Sequence, residues 1–523
     1  MQRGPNPHGL WKALPLLMVL LALAPHCAGA QTADQQSLEQ QIQKLTEAME
    51  RTEAQLKHSQ QQLDEMCKQL SDLQRQMAHN GAKPTPGFTP VPSSQASSGA
   101  ATSAAIQDTR ERQAIQETQI ATQEQTKVES ESKYPVKISG LLLLNGFVNT
   151  GAVDIAPTPT VALPGSGSSG ASVRQTVLGL DARGPHLFGA RSYADLRVDF
   201  DGSPASDIST FAYSGYYSTN TTMLRLRTAH AGLRWSHADA YFSLDRPIFS
   251  PDTPTSLTAV AIPALAWSGN LWTWNPQLGI TYDLGSSTAR SVRLQAALID
   301  VGDAPLSPVA PNPAAATTLP PSSAEQSRWP GVEARVALLG PHPNEGEPYS
   351  HFGVGGYFAP HSSTLLGHGF DSWAGTLDAR LLLPARLQWS GSFYRGQALG
   401  GLGGGAYKDF AFIKDPVSGE YYFRPLDDVG GWAQLKEKLS ERVEFNAAYG
   451  MDDVFARELR YYAVPGGTMY QNLARNRTFT GNVIYSPSSY LMFSLEYRHL
   501  ESSPVVGLPA SSNILGVGAG YKF

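Results

Sequence analysis

Charge, cysteine and long apolar runs are all scarce in this chain of 523 residues, and each shortage removes a class of protein. Only 16% of residues are charged, with 40 Lys and Arg against 45 Asp and Glu, so there is no basic excess to hold nucleic acid. The two cysteines are Cys27 and Cys67. Cys27 falls in the leader described below, which leaves one thiol and no intrachain disulfide framework. The 12 histidines fall in no metal-ligand spacing. No Gly-x-Ser-x-Gly elbow is present for a hydrolase. A lipase would need a lipid-facing Ser–His pair, and His230 and Ser236–His237 are the nearest material. The run Gly396 to Gly405 lacks the Lys-Ser/Thr of a phosphate loop and reads as a mobile extracellular loop. These absences predict no enzyme, metal or cofactor.

Arg3 and Lys12 precede an apolar run from Leu14 to Ala24, followed by Ala28-Gly29-Ala30. This is the pattern of a secretory signal peptide over residues 1–30. The run is shorter than the ~20 residues of a membrane-spanning helix, and no later stretch reaches that length. Cleavage after Ala30 removes two cations, leaving 38 against 45, a formal charge of −7.

From Leu38 to Met77 apolar residues recur in steps of four and three: Leu38, Ile42, Leu45, Met49, Leu56, Leu63, Met66, Leu70, Leu73 and Met77. Apolar residues every 3.5 positions predict a coiled coil over 31–80, which Asn80-Gly81 ends. The seam residues do not choose between two and three strands. Residues 81–133 turn to Pro, Ser, Ala and Gln and read as a flexible linker.

Residues 134–523 alternate differently. The end of the chain, "NILGVGAGYKF", places Leu515, Val517, Ala519, Tyr521 and Phe523 on one face, with glycines and Lys522 on the other. Such a strand, closed by Phe, resembles the sorting signal read by the barrel-assembly machinery of bacterial outer membranes. Sixteen comparable segments can be marked, from 137–149 to 512–523. Their connections alternate between long (150–172, 202–221, 247–275, 301–329, 397–429, 453–475) and short (184–189, 236–238, 285–290, 384–385, 440–441, 486–489). The connection 340–350 is an overlong turn, and 361–369 and 501–511 are modest loops. Two-sided asymmetry of this kind predicts an all-β transmembrane barrel of 16 antiparallel strands, with short turns and both ends in the periplasm. Along 478–497, Phe479, Val483, Tyr485, Leu491, Phe493, Leu495 and Tyr497 are expected toward lipid. Thr478, Thr480, Asn482, Ser494, Glu496 and Arg498 are expected toward the lumen.

The heptads, "RLRTAHAGLRW" and "NVIYSPSSYLMFSLEYR" together resemble the DcaP-like trimeric outer-membrane porins. The resemblance implies a homotrimer in outer-membrane lipid and lipopolysaccharide, with a periplasmic coiled coil. It also implies passive diffusion of small, anionic solutes. An alternative is a structural anchor that tethers the envelope and conducts little. This chain departs from the family at two places beside the constriction, Asp245-Arg246 and Trp274-Asn275-Pro276-Gln277.

The barrel region holds 22 Arg and 6 Lys, and a cation facing lipid near the midplane costs about 2–4 kcal/mol, which turns these side chains inward. Arg225 and Arg227 alternate with Leu224 and Leu226 and are the leading candidates for solute contact. Arg197, flanked by Asp195 and Asp199, and Arg335, expected to pair with Glu333, complete the candidate wall. The same arginines read equally well as braces paired with these carboxylates. The loop 247–275 is long and apolar. The resemblance to sixteen-stranded porins implies that it folds inward and narrows the pore, with Asp252 near the eyelet and Pro263, Leu265, Trp267 and Trp272 packed to the wall. The alternative is an outward loop in the trimer interface.

Overall fold

The structure is a computed structural model that describes residues 135–202, 223–307, 321–341 and 348–523. The leader, the coiled-coil segment with Cys67, and the linker lie outside the described residues.

In chain order the first strands are β1 (Val136–Val153), β2 (Ala162–Ser172), β3 (Val177–Leu187), β4 (Ala190–Gly202), β5 (Met223–Arg234) and β6 (Ala238–Asp245). Then follow β7 (Asn275–Leu284), β8 (Ser291–Ile299), β9 (Gly331–Leu339), β10 (His351–Ser363), β11 (His368–Leu383) and β12 (Leu387–Gln397). A separate hairpin, β13 (Phe410–Lys414) and β14 (Tyr421–Pro425), lies within a loop. The wall resumes with β15 (Asp427–Lys438), β16 (Val443–Val454), β17 (Leu473–Tyr485), β18 (Leu491–Pro504) and β19 (Ala510–Lys522).

β2 and β3 both pair with β1, β3 along its first half and β2 along its second, so they share one wall position. The wall therefore has sixteen antiparallel positions. β1 and β19 close it, from Leu141 opposite Lys522 to Asn149 opposite Ile514. Closure leaves no sheet edge facing lipid, which a membrane span requires.

The two faces of the wall differ as the pleat demands. On β9, Val332, Val336 and Leu338 are exposed on the outside, while Glu333, Arg335 and Ala337 are buried within. On β18, Leu491, Phe493, Leu495 and Tyr497 point out and Ser494, Glu496 and Arg498 point in. Exposing large aliphatic side chains to water costs about 1.5–3 kcal/mol each, so a belt of them around the barrel belongs in hydrocarbon. Tyr490 and Tyr521 stack at the short-turn end, 6.3 Å apart, where an interfacial aromatic girdle sits.

Three expected connections differ. The loop expected at 150–172 is largely strand, because β1 runs to Val153 and β2 fills 162–172. β2 reads "ALPGSGSSGAS" and has no apolar alternation to betray it; pairing with β1 supplies what its side chains do not. The loops expected at 361–369 and 501–511 shrink to 364–367 and 505–509 as their strands extend. The Gly396–Gly405 run is not a mobile loop. Leu399, Gly400 and Leu402 are buried, and Asp428 and Asp452 accept the N–H groups of Gly405 and Ala406 at 2.7 and 2.8 Å.

Candidate functional site: the lumen and its inward loop

Residues 246–274, the third long connection, follow the inner wall almost completely around. Ile248 N–H donates to Glu333 on β9 (2.8 Å), and Phe249 C=O accepts Thr376 Oγ1 on β11 (3.2 Å). Thr255 N–H donates to Gln434 on β15 (2.6 Å), Ser256 Oγ to Glu496 on β18 (2.6 Å), and Asn145 on β1 donates to Leu257 C=O (3.0 Å). Gln175, in the break between β2 and β3, accepts Val260 N–H (2.6 Å) and donates to Thr258 C=O (3.0 Å). These partners are all inward side chains, so the loop lies inside the barrel.

The return limb is equally fixed. Gly269, at φ +93°, lies so close to the wall that a Cβ there would sit 2.1 Å from Gly431 C=O, so no other residue fits. Leu265 packs on Trp432 and Ala448, and the ring of Trp267 stacks on Tyr407 at 3.8 Å. Trp272 N–H and Thr273 Oγ1 donate to the carbonyls of Leu402 and Gly401 (3.1 and 2.9 Å), so the glycine-rich run clamps this limb. Beyond that run, the Lys408 ammonium donates to the carbonyls of Ala406, Tyr470 and Leu473 (2.9–3.0 Å), and burial pushes it down to about 7.

The candidate charges all reach the lumen side, but their partners differ from those expected. Arg225 forks onto Asp199 through Nε and Nη2 (3.0 and 2.7 Å) and also donates to Ala261 C=O (2.8 Å). Arg227 lies 3.7 Å from the same carboxylate, and its Nη1 has no hydrogen-bond partner among the described residues. Both guanidiniums face the ring of Trp274, at 5.2 and 5.1 Å from its centroid. Arg197 pairs with Asp181 on β3 (2.6 Å), not with its neighbours along β4. Asp195 meets His230, whose other ring nitrogen meets Asp245, each at 2.9 Å. His230 thus stands in the lumen, not on the lipid face that a lipase reading requires.

Arg335 does not pair with Glu333. It forks onto Asp378 of β11 (2.9 and 2.6 Å), crossing the intervening β10 at Gly353. A Cβ on Gly353 would lie 2.6 Å from Asp378 Oδ1 and 2.7 Å from Arg335 Nε, so the missing side chain makes room for the pair. Glu333 instead accepts the Ile248 N–H of the inward loop, which leaves Asp378 to take the Arg335 fork. Asp252 is held by Arg380, with His351 Nε2 at 3.2 Å.

The cations that line open space are mostly others. Toward the short-turn end, a cavity of about 420 Å³ beside Thr253 and Thr255 is lined by Arg380, Arg386, Lys436 and Lys438, with no carboxylate side chain. A second, about 470 Å³, carries Arg197, Arg227 and Lys522, with no acidic side chain but with the terminal residue Phe523 in its wall. Lys436 was legible: it alternates with the exposed Leu435 on a strand already marked.

A closed sixteen-position barrel with its third long loop folded into the lumen has the fold of a porin. The outer membrane channel DcaP of Acinetobacter baumannii is similar to it at TM-score 0.51 and 15% identity, over 75% of this chain and 99% of that one. OmpT of Vibrio cholerae in its trimer form (TM-score 0.41, 10% identity, 75% and 99% covered) and OprB of Pseudomonas putida (0.42, 10%, 74% and 94%) also align. No family model and no curated sequence matches the chain.

Proposed function

We propose that this chain is an outer-membrane porin that lets small hydrophilic solutes, anions above all, diffuse passively into the periplasm. The observation that carries the reading is the loop at 246–274, bonded to inward side chains around the lumen and flanked by polar cavities. A barrel serving only as an anchor has no need of such a loop. Anion preference is supported by the two cavities on the short-turn side, which are lined by seven cations and no acidic side chain, with Lys438 and Lys522 free of ion pairs among the described residues. Water-filled walls of one sign concentrate the opposite ion. The short-turn side faces the periplasm in this reading, and the long loops face outward. The protein works as a homotrimer, assembled through its terminal strand. The solute-contacting charges are Lys438, which has no ion pair among the described residues, and the cavity-facing Arg197, Arg227, Arg380 and Lys436, which are shared with Asp181, Asp199, Asp252 and Glu444. Arg225, Arg335, Asp195, Asp199, Glu333 and Asp252 position the wall and the loop.

The test is conductance in planar bilayers under a salt gradient. Large, stable steps with an anion-selective reversal potential are expected. Silence sinks the porin reading in favour of the anchor, and cation selectivity sinks the anionic one. A monomer by native mass measurement in detergent refutes the trimer.

A further inference from the structure

The charge along the lumen changes sign from one end to the other. Where β7 and β8 reach the long-loop end, a cavity of about 400 Å³ is lined by Asp300, Asp303 and Glu325 and by no cation. Asp303 accepts Ser323 N–H (2.8 Å) and Glu325 accepts Ser322 N–H (2.6 Å), bonds that orient both carboxylates without neutralising them. None of the three carries an ion pair among the described residues. Trp274 and Thr273, the last residues of the inward loop, form part of this cavity's wall. Beyond the loop lie the cationic cavities: Arg380, Arg386, Lys436 and Lys438 on one side, Arg197, Arg227 and Lys522 on the other. Lys438 and Lys522 carry no ion pair among the described residues and supply the surplus positive charge, while the other five meet Asp252, Glu441, Glu444, Asp181 and Asp199. Arg227 links the two zones, since its guanidinium faces the Trp274 ring that the acidic cavity shares.

A water-filled passage with an acidic outer zone and a basic inner zone is a bipolar junction. When the outside is positive, cations enter through the acidic zone and anions through the basic one, and both accumulate within the passage. With polarity reversed, each ion must enter through the zone that repels it, and the junction is depleted. We propose that this channel rectifies: it conducts better when its long-loop side is positive. The inference rests on the porin reading and goes beyond it, because charge selectivity alone sets a reversal potential and gives no preferred direction. The physical scale is that of screening. The fields of wall charges extend about 10 Å at 0.1 M salt but only about 3 Å at 1 M, so the asymmetry belongs to dilute salt.

The experiment is a single-channel current–voltage curve at equal salt on both sides, first dilute and then 1 M. Orientation is read from the tip of the β13–β14 hairpin, where Val417 is 94% exposed. Biotin attached through Val417→Cys in a Cys67→Ser background, with streptavidin in one chamber, marks the long-loop side. In dilute salt, currents at opposite polarities should differ by about twofold or more, the effect of one unit charge some 7 Å from a passing ion in water. At 1 M the difference should vanish. The triple variant Asp300→Asn, Asp303→Asn, Glu325→Gln keeps each side chain's size and should make the dilute-salt curve nearly symmetric. Lys436→Gln with Lys438→Gln should weaken rectification from the opposite pole, which guards against misfolding of the outer variant. A conducting channel with a symmetric curve in dilute salt, or larger current with the long-loop side negative, overturns the proposal and leaves the porin reading standing. A silent channel overturns both.

Discussion

Replacing Arg335 by Ala should damage the barrel and spare its selectivity, whereas replacing Lys438 by Gln should do the reverse. Both are cations of the lumen, and sequence alone ranks Arg335 above Lys438 as a solute contact. The Arg335–Asp378 pair is 4% and 0% exposed, so removing the guanidinium strands a carboxylate that water cannot reach. Breaking a buried pair from one side costs about 3–5 kcal/mol. His351, 3.3 Å from Asp378, offsets part of this when protonated. Lys438 lies exposed at the end of β15 and has no ion pair among the described residues, so its loss should move stability by no more than about 0.5 kcal/mol. It does line the cationic cavity of about 420 Å³, where one charge about 7 Å from an ion is worth about 0.6 kcal/mol in water, near a threefold change in local anion concentration. Urea unfolding in lipid vesicles reads the first effect, and reversal potential in dilute salt reads the second. An Arg335→Ala barrel with wild-type stability and shifted selectivity would refute the assignment of brace and contact.

Acidification should abolish rectification before it affects the cationic cavities. Burial, then the charge of Glu325, pushes the Asp300 carboxyl up, so it takes its proton at a higher pH than an ordinary aspartate and the outer zone loses negative charge; current asymmetry recorded at decreasing pH should decline. An asymmetry that grows in acid would contradict this sign. Trp267→Ala removes a buried ring stacked on Tyr407, at a cost of about 3–5 kcal/mol typical of such truncations, and should loosen the return limb; noisier, larger single-channel steps are expected. Phe523→Ala should lower the amount of barrel assembled in cells but not refolding in detergent. The Phe523 side chain is half exposed, while its backbone N–H and C=O bond to Gly140 at 3.1 and 2.9 Å and survive the change. Equal losses in both assays would place the effect in stability, not in recognition by the assembly machinery.

The wall was legible because each spanning strand repeats one instruction, apolar out and polar in. Val332, Val336 and Leu338 carry that instruction plainly, and so do Leu491 to Tyr497. It fails at β2, where serine and glycine offer no contrast and pairing with β1 alone makes the strand. The inward loop was legible from its prolines and tryptophans, but its route was not. That route depends on single polar residues scattered from Asn145 to Glu496, which become partners only once the wall has closed.

Charge pairing was the least legible part, for a geometric reason. Neighbours at i and i+2 on a strand share a face and look paired on paper, as Arg197 does with Asp195 and Asp199. In the barrel, a long guanidinium reaches across strands more readily than along one, so Arg197 finds Asp181 and Arg335 finds Asp378. Selectivity is decided by what such pairing leaves over. Arg225, the strongest candidate in sequence, spends its fork on Asp199 and a loop carbonyl, and its role becomes support. Lys438 lines open space with no ion pair among the described residues, whereas Lys436 and Arg380 beside it are shared with Glu444 and Asp252. A lumenal cation selects solutes only if the wall has not already claimed it, and that is settled by strand register, which no local pattern of residues encodes.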